Sequence, residues 1–205
     1  MEIQRFVVTP FAENCYVIKD GGEALVIDPG EAPKELLDAL DGFTVKTLVN
    51  THAHIDHVGG NKAVLEKTGA ELICHRDAAP MLAHVPEQGK MFGVHVEPSP
   101  EPDRFIDEGD TVSVGSATLS VVYVPGHAPG HIALIGDGFI VGGDVLFNGS
   151  IGRTDLPGGD FEVLMTSIKE KFLTLPDDTV VLSGHGPETT IGMEKQINPF
   201  VQQVL

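Results

Sequence analysis

The sequence predicts an α/β fold, with two sheets packed together and helices on the outside. Three observations predict it. Strand and helix signals alternate along the whole chain, each half contains both kinds, and no repeat or low-complexity tract interrupts them. A length of 205 residues suits one domain over residues 1–205, enough for a real core and too short for two.

Taken in order, Ile3 to Val8, Cys15 to Ile18 and Ala24 to Ile27 read as opening strands, with turns at Lys19 to Gly22 and Asp28 to Gly30. Pro33 suits the first turn of a helix ending near Leu40, because an amide hydrogen there has no partner to lose. Val45 to Asn50 is a largely buried strand, and Gly59-Gly60 leads into a helical pattern from Ala63 to Lys67. Glu71 to Cys74 is a short strand and Arg76 to His84 a helix. Residues 86–103 carry Pro86, Pro98, Pro100 and Pro102, with Gly89, Gly93 and the apolar Met91 and Phe92. They predict a long irregular connection, either a binding loop or lid or a plain solvated excursion. Strands follow at Thr111 to Val114, Ala117 to Val124, His131 to Ile135 and Phe139 to Val141. Phe161 to Leu173 is an amphipathic helix with Phe161, Leu164, Ile168 and Phe172 on one face. Thr179 to Leu182 is the last strand and Gly192 to Ile197 a short closing helix.

Thirty acidic against thirteen basic residues give a formal charge of −17. Such a surface repels phosphate backbones and argues against nucleic-acid partners. No stretch approaches the length of a membrane span, and residues 1–10 lack an apolar core or cleavage pattern, so the expected location is the cytoplasm. Cys15 and Cys74 are far apart and read as two reduced, buried thiols rather than one disulfide.

The chemistry is concentrated in residues 51 to 57, Thr-His-Ala-His-Ile-Asp-His. In an extended segment alternate side chains share a face, so His52, His54 and Asp56 can converge while His57 points elsewhere. One tetrahedral ion rarely takes all its ligands from so short a stretch. Two ions fit better, one using His52 and His54, the other Asp56 and His57. Imidazole and carboxylate donors suit zinc, iron or manganese. The motif follows the carboxyl end of a strand, the edge where open α/β sheets place their chemistry. Three further candidates repeat that placement. His127 lies in a glycine- and proline-rich turn after a strand, Asp144 ends an apolar strand, and His185 follows a third.

His-x-His-x-Asp-His, followed by single His, Asp and His residues at strand ends, resembles the metallo-β-lactamase superfamily over almost the whole chain. The resemblance implies an αββα four-layer sandwich. Residues 143–147, 149–159 and 183–192, including Gly-Arg-Thr-Asp-Leu-Pro-Gly-Gly and Ser-Gly-His-Gly-Pro, are similar to the short glyoxalase II-like hydrolases. That likeness implies hydrolysis of a thioester, S-lactoylglutathione or a related acyl-glutathione. It also implies two divalent ions: His52, His54 and His127 on the first, Asp56, His57 and His185 on the second, and Asp144 bridging. A hydroxide held between them would be the nucleophile, oriented by Asp56.

By the same likeness Arg153 would meet the glutathione moiety, clasping a carboxylate bidentately. The alternative is a structural ion pair with Asp155 or Asp160. Asp155 departs from the tyrosine of glyoxalase II, and the carboxy-terminal helical domain that supplies most glutathione contacts in longer enzymes is not in this sequence. His131 and Asp28 would fix ring orientation or the metal loop by hydrogen bonds, or be purely structural. The rival within the same fold is the persulfide dioxygenases, which share the first motif and Gly-Arg-Thr-Asp. They use one iron on counterparts of His52, His127 and Asp144. Lactonases, other ester hydrolases, nucleases and a non-enzymatic metal-binding module are the remaining alternatives.

Overall fold

In the computed structural model, which describes residues 1–205, the chain forms two six-stranded sheets face to face. The first runs in spatial order β1 (Glu2–Val8), β2 (Glu13–Asp20), β3 (Glu23–Ile27), β4 (Thr44–Val49), β5 (Glu71–Cys74) and β6 (Arg104–Phe105). Its first three strands are antiparallel, and from β3 onward neighbours are parallel. The second sheet takes β7 (Thr111–Val114), β8 (Ala117–Tyr123), β9 (Ile132–Gly136), β10 (Phe139–Gly143), β13 (Val180–Ser183) and β14 (Thr189–Thr190). A two-stranded ribbon, β11 (Leu146–Phe147) with β12 (Ser150–Ile151), stands apart from both.

Period-two alternation decides the layering. Along β2, Tyr16 and Ile18 join Leu25, Ile27, Val49 and Ile73 in a core shared with Leu119, Val121, Ile132, Leu134 and Val141 of the second sheet. Cys15 and Val17 face the other way, onto Leu36 and Val64 of helices α1 (Lys34–Ala39) and α3 (Asn61–Thr68). On the far side Ile140 and Val181 pack on Leu164 and Met165 of α6 (Phe161–Ser167) and Ile191 of α7 (Ile191–Ile197). Helix, sheet, sheet and helix make the four expected layers. Both cysteines are free and fully buried. No helix is long and apolar enough to cross a membrane.

Three expectations change. Residues 86–103 are not irregular throughout, since α5 occupies Val85–Phe92 with Pro86 in its first turn. Gly93 closes that helix at φ 71°, a conformation glycine adopts without strain. Arg76 to His84 is a turn followed by the single helical turn α4 (Ala79–Leu82). The helix beginning at Phe161 widens into a π-turn over Ile168–Phe172; Ile168 and Phe172 stay buried, but Phe161 lies at the surface against Phe200.

Candidate metal centre

The strand directions bring the ends of four strands to one edge. His52 and His54 follow β4, His127 follows β8, Asp144 follows β10 and His185 follows β13. Strands β10 and β13 are parallel, and β8 shares their direction through the antiparallel β9 between them. The sheets are tied at this edge by Ile132 N–H donating to Thr51 O at 2.9 Å and Asn14 N–H to Gly184 O at 2.7 Å. All seven expected ligands therefore gather at one place.

The alternate-face expectation for residues 52–57 is corrected here. The backbone is extended only as far as His54, and Ile55–Val58 form a helical turn, α2. A helical step rotates successive side chains by roughly 100° rather than half a turn. Asp56 and His57 thus both enter the site, and His57 is fully buried in it. Gln88 of α5 holds this turn, its Oε1 accepting from Ile55 N–H at 3.0 Å and its Nε2 donating to Ala53 O at 3.2 Å.

Hydrogen bonds to one nitrogen of each ring decide what the other nitrogen offers. His127 Nδ1 donates to Arg153 O at 2.7 Å and His185 Nδ1 to Phe11 O at 3.2 Å, since a carbonyl can only accept. Thr51 Oγ1 donates to Asp28 Oδ2 at 2.5 Å, so its remaining lone pair takes a hydrogen from His52 Nδ1 at 3.0 Å. His57 Nδ1 lies 3.1 Å from Asp28 Oδ2. The Nε2 of His52, His57, His127 and His185 is thereby left as the lone-pair nitrogen, as metal-ligating imidazoles need. His127 Nε2 faces His54 Nδ1 at 2.9 Å, so it is Nδ1 that His54 turns toward His127. Asp28 also accepts from Thr51 N–H at 2.7 Å, so its oxygens are committed to the loop and to His57. His131 accepts from Asp144 N–H at 3.2 Å. Both residues therefore hydrogen-bond to the candidate ligands or to the loops that carry them.

Three sets of side chains bring ligand atoms within 4.8 Å of one another: His52, His54 and His127; Asp56, His57 and His185; and Asp28, His52 and His57. In the last, Asp28 already accepts from the Thr51 amide and hydroxyl and faces His57 Nδ1, which leaves the first two as the candidate metal trios. Asp144 lies between them: Oδ1 is 3.4 Å from His57 Nε2, and Oδ2 is 3.5 Å from both His127 Nε2 and His185 Nε2. His52 Nε2, His57 Nε2 and Asp144 Oδ1 are buried without a hydrogen-bond partner. Orphaned buried donors and acceptors are costly, and their convergence here fits a pair of cations. Gly184 is part of this fit, because a Cβ there would lie 2.2 Å from Asp144 Oδ1 and 2.7 Å from His57 Cε1.

Electrostatics separates the trios. Burial and the neighbouring rings hold His52 well below the ordinary imidazole range and push His54 down to about 3. Burial lowers His127 as well, against the pull of Asp144. Burial alone would favour a neutral Asp144, but His57, His127 and His185 hold its carboxyl well below the usual range. Burial likewise opposes charge on His57 and His185, yet Asp144 and Asp28 raise the first, and Asp56 and Asp144 the second. The first trio is three neutral lone pairs, and the second is richer in negative charge.

Several contributors were not singled out from the sequence. The β1–β2 turn reaches across the edge and clamps the His185 loop: Asn14 Nδ2 donates to Ser183 O and Gly186 O, each at 2.9 Å, and Tyr16 Oη to Ser183 O at 2.8 Å. Thr9 and Ala12 hold left-handed φ values of 61° and 55° in that turn, which costs energy for residues bearing a Cβ. Glu13 is fully buried with neither carboxylate oxygen hydrogen-bonded, and Oε1 lies 3.7 Å from His57 Nδ1. Burial raises its pKa well above the carboxylate range. In the sequence Glu13 stands just ahead of the apolar run Cys15 to Ile18.

A cavity of about 430 Å³ opens over the centre. His54, Asp56, Asp144 and His185 form its floor, and Phe11, Ile55, Met81, Phe92, Phe147 and Leu156 contribute apolar walls. Arg153 lies on the rim, its Nε and Nη2 each 2.7 Å from a carboxylate oxygen of Asp155. Asp160, the other candidate partner, instead caps α6 by accepting from Val163 N–H at 3.0 Å.

Residues 8–185 match the profile of the metallo-beta-lactamase superfamily. A Haemophilus influenzae protein named hydroxyacylglutathione hydrolase GloC is 39% identical over 208 residues, covering 98% of this chain and 98% of its own. Among solved structures, the BLEG-1 B3 metallo-beta-lactamase is similar with a TM-score of 0.91 and 35% identity, over 98% of this chain and 99% of that one. TTHA1623, described in a di-iron-bound form, has a TM-score of 0.88 and 35% identity, over 96% of this chain and 99% of that one.

Proposed function

The chain belongs to the metallo-β-lactamase superfamily, and from that premise we propose that it is a binuclear hydrolase of thioesters, S-lactoylglutathione or a related acyl-glutathione. The observation that carries the proposal is the pair of trios sharing Asp144, with unpartnered buried ligand atoms beneath an open cavity. His52, His54 and His127 would hold one ion, Asp56, His57 and His185 the other, and Asp144 both. Zinc, iron or manganese suits this donor set. When bound, two such ions polarise a carbonyl and lower the pKa of water.

The protein's own residues supply the rest. Asp56 presents a carboxylate at the cavity floor that would accept a hydrogen bond from the attacking water. Asp28, Thr51 and the carbonyls of Arg153 and Phe11 keep the ligand rings from rotating. Neither cysteine is the nucleophile: both are fully buried outside the cavity lining, and burial pushes the Cys74 thiol up to about 12. Arg153 would meet a substrate carboxylate at the rim by exchanging it for Asp155. The test is to measure metal content and S-lactoylglutathione cleavage on the protein and on Asp144→Ala. Two ions and turnover in the first, with loss of both metal and turnover in the second, is the expected result. Near-normal turnover with two ions retained in Asp144→Ala would overturn the assignment.

A further inference from the structure

The cavity walls say more about the substrate than the metal ligands do. Met91 is 75% exposed and Phe92 44%, and with Phe11 they form an apolar mouth that folding leaves in water. Phe11 and Phe92 meet edge to face with centroids 5.5 Å apart. Phe11 is held there by the strained β1–β2 turn, whose carbonyl also fixes His185, so this aromatic is tied rigidly to the centre. Exposed apolar surface gathered at the entrance of a built site marks a ligand contact. Methionine, flexible and polarisable, accommodates arms of varied shape.

Charge points the same way. Arg153 is the one permanently cationic side chain lining the cavity, and it is already paired with Asp155 through Nε and Nη2. The chain as a whole carries −17. A glutathione arm, with two carboxylates, finds no unpaired cation on these walls, whereas an apolar arm finds aromatic and aliphatic contacts on several sides.

Resting on the thioester-hydrolase reading, we infer that the preferred substrates are thioesters whose non-reacting arm is uncharged and apolar, seated between Phe11, Phe92 and Met91. The reaction remains simple hydrolysis. Water forms the new C–O bond and the C–S bond breaks; one water proton goes to the leaving thiolate and the other to solvent, giving a carboxylate and a thiol without oxidant or reductant.

The experiment uses the metal-loaded protein and a series of S-acyl-N-acetylcysteamines from acetyl to hexanoyl, beside S-lactoylglutathione. Apolar burial predicts that kcat/KM rises about three- to fourfold per added methylene. The hexanoyl ester is expected to exceed S-lactoylglutathione. A second series fixes the lactoyl group and lengthens an alkyl thiol, which identifies the side of the thioester that occupies the mouth. The double variant Met91→Ser, Phe92→Ser, both at exposed positions, is expected to flatten whichever series is steep. Calorimetry with S-hexyl- and S-methyl-N-acetylcysteamine, thioethers that cannot be hydrolysed, reads the same preference without turnover. Faster cleavage of S-lactoylglutathione than of every neutral ester, with both series flat, would overturn the inference while leaving the hydrolase standing. Length-dependent thioether binding without cleavage of any thioester would remove the hydrolase reading and keep the apolar seat. Equal binding of the two thioethers counts against the seat itself.

Discussion

Replacing Gly184 with alanine places a methyl group inside the ligand cluster without removing a charge or a ring. The added Cβ would lie 2.2 Å from Asp144 Oδ1 and 2.7 Å from His57 Cε1, where contacts below 3.0 Å are essentially never tolerated. The Asp144 carboxylate must therefore retreat by at least the difference, 0.8 Å, and His57 must yield as well. Asp144 has little room, because its backbone is pinned by His131 and its oxygens face three histidines. Misplacement by about 1 Å at a reacting centre costs on the order of 100-fold in rate, or about 2.7 kcal/mol. The assay is kcat/KM for thioester cleavage alongside metal content and thermal unfolding. Gly69→Ala is the comparison: its φ of 68° also disfavours alanine, but no atom lies within 4 Å of the new Cβ. It is expected to lose about 1–2 kcal/mol of stability and keep its activity. Gly184→Ala retaining two ions and near-normal kcat/KM would refute the placement of Asp144 between the trios.

Asp28→Asn keeps a residue type that tolerates the left-handed φ of 51°, but an amide cannot accept from Thr51 N–H, the Thr51 hydroxyl and His57 Nδ1 together. Metal affinity measured by chelator competition is expected to fall about 10- to 100-fold, with the fold intact by circular dichroism. Removing Asp155 by Asp155→Ala frees both Arg153 donors, so KM for S-lactoylglutathione should fall while kcat holds. Arg153→Ala should move KM the opposite way, and steady-state kinetics showing no change in either variant would remove Arg153 from the substrate site. Phe172→Ala empties a fully buried ring site beneath the second sheet and should cost about 3–5 kcal/mol in chemical denaturation.

Much of this site was legible because its ligands are local in sequence or repeat one local pattern. Two histidines and an Asp-His pair fall within six positions, and His127, Asp144 and His185 each end a strand in a glycine-bearing turn. Which faces they use was not legible, since nothing in residues 52–57 announces that the chain turns helical at Ile55. Contacts across long separations were equally hidden. The clamp of Asn14 on residues 183–186 and the bond from His185 to Phe11 join opposite ends of the chain. Four prolines made residues 86–103 look structureless, although Pro86 and Gly93 sit where a helix begins and ends. The two-residue strands β6, β11, β12 and β14 are too short to show any periodicity. Arg153 shows a different limit: its spacing to Asp155 permits an ion pair, and only the folded rim shows that the pair forms.

The central claim is that two ions act together at one hydrolytic centre. The most direct measurement is metal stoichiometry on the protein and on the double variant His57→Ala, His185→Ala, with thioester cleavage and oxygen uptake from glutathione persulfide recorded on the same samples. His57 and His185 complete the second trio and take no part in the first. The account predicts two ions in the protein, half as many in the variant, and thioester cleavage reduced by orders of magnitude. A single iron in both, with rapid oxygen uptake that survives the double change, would contradict it and identify a mononuclear dioxygenase instead.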